Sequence, residues 1–184
     1  SLFVDVNDNG IRDQKEPFVK SPKMKLNTAN VKTEMSNGVL FTEVRPEKPF
    51  RLSIPQQRLG DISWQINDFN LNLMLYPYQC RTLFIPVKVL TEISGQVNCV
   101  NKRNSEGVKN IEVVITNTKT GKRILVMTDE WGSYIYMGLT CGSYTVDLAP
   151  DILQRMKLKK VYNLDIKPAL EGKQLDGFDF DLTL

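Results

Sequence analysis

The sequence predicts an all-β protein made of two tandem β-sandwiches. Three observations support this: apolar residues recur with period two, turn-forming residues punctuate the runs, and one order of segments occurs twice, about 90 residues apart. Leu71–Tyr76 alternates loosely and Phe178–Leu182 strictly. Glu112–Thr116 and Tyr144–Leu148 are rich in the β-branched and aromatic residues that suit a pleated surface. Turns are expected at Ser36-Asn37-Gly38, Lys119–Lys122, Glu130-Trp131-Gly132 and Cys141-Gly142-Ser143. The nearest helix candidate is Asp151–Lys159, which follows Pro150 and opens on an acid.

The duplication sets the domain plan. Glu34–Phe41 corresponds to Met127–Tyr136, Phe50–Pro55 to Tyr144–Pro150, Leu71–Pro77 to Tyr162–Pro168, and Leu83–Val87 to Gly177–Leu182. The boundary is placed near Lys88–Glu92, giving domains 1–88 and 89–184, each of the size of a two-sheet sandwich with about seven short strands. Most aromatic and aliphatic positions in these strands are then core. Trp131 is the exception. It is expected at the tip of a hairpin turn, with partner contact as its candidate role and folding back over its own hairpin as the alternative.

The chain has 184 residues, 41% hydrophobic and 24% charged, with a net charge of +3. That charge is spread along the chain and argues against a nucleic-acid groove. Histidine is absent, which removes Ser-His-Asp and Cys-His catalysis and histidine-based zinc sites. No apolar run approaches the roughly 18 residues that span a bilayer. The sequence opens on Ser1 with a strand already in progress, so an excised segment of a longer protein is expected. Cys80, Cys99 and Cys141 form no metal motif. Cys99 and Cys141 can pair if their loops share one end of the sandwich; three free thiols are the alternative.

The chemistry concentrates in Asp5–Glu16, which satisfies D-x-[DN]-x-[DN]-G-x5-E at every position. Calcium takes six to eight oxygens at roughly 2.3–2.6 Å, and a loop supplies them only by wrapping tightly. Asp5, Asn7 and Asn9 offer side-chain oxygens two residues apart, and Gly10 permits the reversal. The Ile11 carbonyl, Asp13 and Glu16 complete the expected set, with the Ile11 side chain anchoring the loop below. The carboxylates of Asp5, Asp13 and Glu16 repel one another unless a cation neutralises them, although Arg12 and Lys15 could share that task. Strand-like flanks in place of helices put this loop on a β scaffold. The equivalent stretch of the second half, Asn98–Val108, carries cations where the ligands should be.

Phe3–Pro17 resembles the opening of the B-type repeats of bacterial serine-aspartate surface adhesins. Ile93–Val97, Gly107–Val113, Thr128–Tyr134 and Leu139–Val146 are similar to carboxypeptidase regulatory-like (transthyretin-like) domains. The first half departs from the latter pattern at Ser36-Asn37-Gly38 and Arg45–Pro49. The resemblance implies prealbumin-like or Ig-like Greek-key sandwiches, strung in series on extracellular, cell-surface or periplasmic proteins and stiffened by calcium. A non-catalytic spacer is therefore expected, with flanking domains of the same polypeptide as its partners. A glycan- or protein-binding adhesion module is the alternative, motivated by Trp131, Tyr134, Tyr136 and Trp64. The carboxylate pair Asp179 and Asp181 reads as a solvated strand face and not as an acid and base.

Overall fold

A computed structural model describes residues 1–184 apart from 28–30, 56, 58, 67–68, 101–103, 157–159 and 184. The chain divides into two units, Ser1–Val89 and Leu90–Leu184. Among the described residues all regular structure is strand apart from one helix of seven residues, α1 (Pro150–Met156). Pro150 begins that helix and does not merely precede it, as suits a residue with no N–H to leave unpaired. The expected end at Lys159 lies outside the described residues.

In the first unit, β1 (Leu2–Asp5) runs parallel to β8 (Ile85–Val89), pairing Leu2 with Ile85 and Asp5 with Lys88. β6 (Trp64–Gln65) adds antiparallel on the far side of β8. A second sheet has the order β2 (Lys25–Leu26), β5 (Phe50–Ile54), β7 (Phe69–Leu73). Among the described residues β3 (Val31–Met35) and β4 (Gly38–Thr42) pair only with each other, across a two-residue Ser36-Asn37 turn. Leu2, Val4, Leu52, Ile54, Ile85 and Val87 fill the core between the sheets.

The second unit is built around β9 (Thr91–Val100). On one edge it pairs antiparallel with β13 (Ser133–Leu139) and β10 (Ser105–Gly107). On the other it pairs parallel with β16 (Gln174–Leu175) and β17 (Phe180–Thr183). The facing sheet has the order β12 (Arg123–Met127), β11 (Glu112–Asn117), β14 (Gly142–Leu148), β15 (Tyr162–Ile166). Ile93, Val97, Ile115, Val146 and Phe180 lie at the centre of the core.

The pairing plan recurs. In each unit the first strand lies parallel to a late one, β1 to β8 and β9 to β17. In each unit, segments expected to correspond are antiparallel neighbours, β5 with β7 and β14 with β15. One correspondence differs. β3 and β4 form a hairpin of their own, whereas β12 and β13 belong to different sheets. Trp131 therefore sits on an arch between sheets and not at a hairpin tip.

Candidate functional site

The Asp5–Glu16 loop leaves the end of β1 and returns alongside it. Val4 N–H donates to the Pro17 carbonyl at 2.9 Å, Val19 N–H donates to that of Leu2 at 3.0 Å, and Phe3 bridges Phe18. Two acids are buried inside the turn, Asp5 at 4% exposure and Glu16 at 2%. Each of their four oxygens accepts one backbone N–H. Asn9 N–H reaches Asp5 Oδ1 at 3.1 Å and Gly10 N–H reaches Oδ2 at 2.8 Å. Val6 N–H reaches Glu16 Oε1 at 3.0 Å and Asp13 N–H reaches Oε2 at 2.9 Å. A carboxylate oxygen has two acceptor sites, so every one of the four retains a lone pair for a further donor or a cation. Four backbone N–H groups of this kind hold both carboxyl groups aimed.

The middle of the loop is fixed by its amides. Asn7 Oδ1 accepts Asn9 N–H at 3.1 Å, and Asn9 Oδ1 accepts Ile11 N–H at 2.7 Å, two Asx turns in succession. Asp8 and Gly10 take the left-handed region, with φ of 55° and 74°. The glycine meets that demand without strain. Asp13 Oδ2 accepts the amide N–H groups of Asn7 at 2.8 Å and Asn9 at 3.3 Å, so amide protons meet its charge. Among the described residues, no three acidic, cysteine or histidine side chains gather closely enough to form a metal set by themselves. The donor chemistry of the six expected ligands is therefore two buried carboxylates, one exposed carboxylate, and amide and carbonyl oxygens, all hard ligands of the class calcium takes.

Two expectations need correction here. The Ile11 side chain does not anchor the loop: it is 69% exposed, on a turn closed by its own N–H to Asn9 Oδ1. Anchoring falls to Arg12, whose guanidinium lies 4.2 Å from the Phe18 ring centroid and reaches the Glu16 carbonyl at 3.5 Å. Sequence reasoning treated Arg12 only as a neutralising charge; its spacing of six from Phe18 was the available signal. Lys88, beside Asp5 on β8, closes the rim with a 3.2 Å ion pair to Asp8.

The second correction concerns Cys99 and Cys141, which form no disulfide, and neither does Cys80. Cys99 sits toward one end of β9, opposite Glu106, whereas Cys141 follows Leu139, which pairs with Thr91 at the other end. Eight residues of strand separate those ends by about 26 Å, far beyond the roughly 4.4–6.8 Å between Cα atoms that a disulfide spans. In the loop equivalent to Asp5–Glu16, residues 101–103 lie outside the described residues.

Of the aromatic residues weighed for partner contact, Trp131 is 73% exposed. Its turn is rigid: Asp129 Oδ1 accepts the N–H groups of Trp131 at 2.9 Å and Ser133 at 2.8 Å. Tyr134 is buried, and its hydroxyl donates to the Phe178 carbonyl at 2.7 Å. Tyr136 and Trp64 pack against their cores. Asp179 is committed to the scaffold, its Oδ1 accepting Gln96 N–H at 2.8 Å.

No protein-family model matches the chain, and no curated protein matches it. Among solved structures it is similar to the TIE protein of Bacillus anthracis, at 14% identity and TM-score 0.39 over 99% of this chain. It is also similar to GBS52, the minor pilin of Streptococcus agalactiae, at 10% and 0.41 over 99% of this chain and 94% of that one. BcpA, the major pilin subunit of Bacillus cereus, gives 12% and 0.37 over 89% of this chain. The chain spans 33% of the TIE protein and 56% of BcpA. Among the described residues no helix is long and apolar enough to cross a membrane.

Proposed function

We propose that this chain is a non-catalytic, tandem pair of β-sandwich modules within a longer bacterial surface or secreted protein, and that calcium at the Asp5–Glu16 loop stiffens it. Asp5, Asn7, Asn9, the Ile11 carbonyl, Asp13 and Glu16 would hold the ion. The observation that carries this reading is the pair of buried carboxylates, Asp5 and Glu16, each oxygen fixed by a single N–H with a lone pair to spare. Burying ionised groups is costly unless they are paired or bound to a metal. Two of them enclosed in one turn are a reason to place a cation there. The surface location and the flanking domains as partners follow from the resemblance of Phe3–Pro17 and of the second half to surface repeats.

Titration of calcium into chelator-treated protein by calorimetry is the test. Saturable heat is expected, and Glu16→Gln or Asp5→Asn should abolish it. Absence of heat together with an unchanged melting temperature would overturn the calcium reading.

The adhesion reading retains one supporting observation, the exposed Trp131 on its rigid turn. The inward packing of Tyr134 and Tyr136 weighs against it. Binding on a glycan array that disappears in Trp131→Ala would establish adhesion, and an array without signal would leave the spacer.

A further inference from the structure

In the first unit the β3–β4 hairpin stands apart, and a groove of about 340 Å³ separates it from the sheets beneath. Six consecutive residues, Val39–Val44, line that groove. Val39 and Phe41 turn their side chains onto the core, Glu43 and Val44 follow the end of the strand, and the outer edge of β4 borders the space beside them. Phe50, Leu52, Leu73 and Ile85 floor it with apolar surface. Among the described residues β4 pairs only with β3, so the backbone groups on its outer edge have no ladder partner. In the second unit β13 is laddered to β9. At the equivalent edge of β1, the chain returning from the Asp5–Glu16 loop is bridged instead, at Phe18.

The chain also carries an edge strand suited to this gap. Among the described residues β12 pairs only with β11, and it is apolar on both faces. Ile124 and Val126 pack into the core, while Leu125 and Met127 are 56% and 53% exposed. Exposed apolar edge strands template further pairing unless charge or proline blunts them. Leu125 and Met127 carry about eight heavy side-chain groups, roughly 240 Å³ at about 30 Å³ each, which the groove can hold.

Charge fixes the direction. Glu43 follows the end of β4, Arg123 opens β12, and neither has an ion-pair partner among the described residues. Antiparallel addition sets Arg123 beside Glu43 and carries the acidic Asp129-Glu130 toward the Gly38 end. Arg81 lines the groove two residues before Leu83, whose carbonyl accepts the Ser1 amino group at 2.8 Å. Ser1 in turn packs on Gly38.

We propose that the open edge of β4 receives β12 of a second copy of this chain, with Leu125 and Met127 seated in the groove. Each copy then has one donor edge and one acceptor groove, so the contact is heterologous and copies add head to tail. The inference does not depend on the calcium reading, and the measurements are made both with calcium and with chelator.

Sedimentation velocity on the whole chain should show mass rising with concentration. Leu125→Lys, which disables the donor, and Val39→Lys, which puts a charge into the acceptor groove beside Met127, should each weaken association by about tenfold or more. Leu125 is exposed and Val39 only half-buried, and circular dichroism checks that each variant folds. Mixed together, the two variants should form one-to-one dimers and nothing longer, since one retains only the groove and the other only the strand. Arg123→Glu should weaken association and regain it when mixed with Glu43→Arg. A chain that stays monomeric to about millimolar concentration overturns the proposal, as does association that survives both lysine variants. Decanoate captured by a monomeric chain would assign the groove to a small apolar anion instead.

Discussion

Tyr134 shows how one polar atom inside an apolar core constrains a fold. Burial pushes its phenol well above the ordinary value of about 10, and the nearby charges of Asp179 and Tyr162 push it the same way. Its hydroxyl supplies the proton that the Phe178 carbonyl needs. A raised acid of this kind stabilises the fold fully below the unfolded value, and the stabilisation drains as pH climbs from about 10 toward the folded value. Wild-type unfolding free energy, measured by denaturant between pH 9 and 11, should therefore fall by up to about 1.4 kcal/mol per unit above pH 10. Tyr134→Phe should lose about 1 kcal/mol at neutral pH and show a flatter alkaline limb. Other residues were readable in advance to different degrees. The Asp5–Glu16 spacing located a turn whose acids point inward, because ligand geometry and Asx-turn geometry demand the same residues at the same positions. The outward turn of Ile11 and the separation of Cys99 from Cys141 were not readable, since both depend on where strands end and on which end of a strand a loop occupies.

At the level of elements, the arch between β12 and β13 depends on Gly132. Its φ is 77°, and a Cβ there would lie 2.6 Å from Val108 N, against backbone that cannot yield. The Gly132 carbonyl also accepts Val97 N–H at 2.8 Å, so the arch is tied to β9. Gly132→Ala should cost ~2–3 kcal/mol in chemical denaturation, combining left-handed strain with the collision. Period-two patterning located β7 and β17, β-rich composition β11 and β14, and the duplication β5 and β15. It could not separate the β3–β4 hairpin from the β12–β13 arch. Both are two apolar strands around a short Asn- or Gly-bearing turn, and only tertiary pairing decides whether they share a sheet.

At the level of the whole molecule, two units with their own cores should melt in two calorimetric transitions. Calcium should raise only the transition of the Ser1–Val89 unit. At a free concentration about a hundred times Kd, mass action adds about 2.7 kcal/mol, roughly 10–20 °C for a unit of this size. An equal rise in both transitions, or in the other one, would place the ion elsewhere. The all-β class was legible because it is a property of composition and period. The edges left open were not, because an unpaired edge depends on every other strand having found its neighbour.

The parallel pairing of β1 with β8, and of β9 with β17, also decides how tension would act on each unit. Pulling the start of one strand against the end of its parallel neighbour slides the two along their length, so every bond of that ladder is strained together and none can be unzipped first. Resistance to such a pull is set by a barrier that many bonds must cross at once. Two modules threaded in this way would behave as stiff links in a tether under shear.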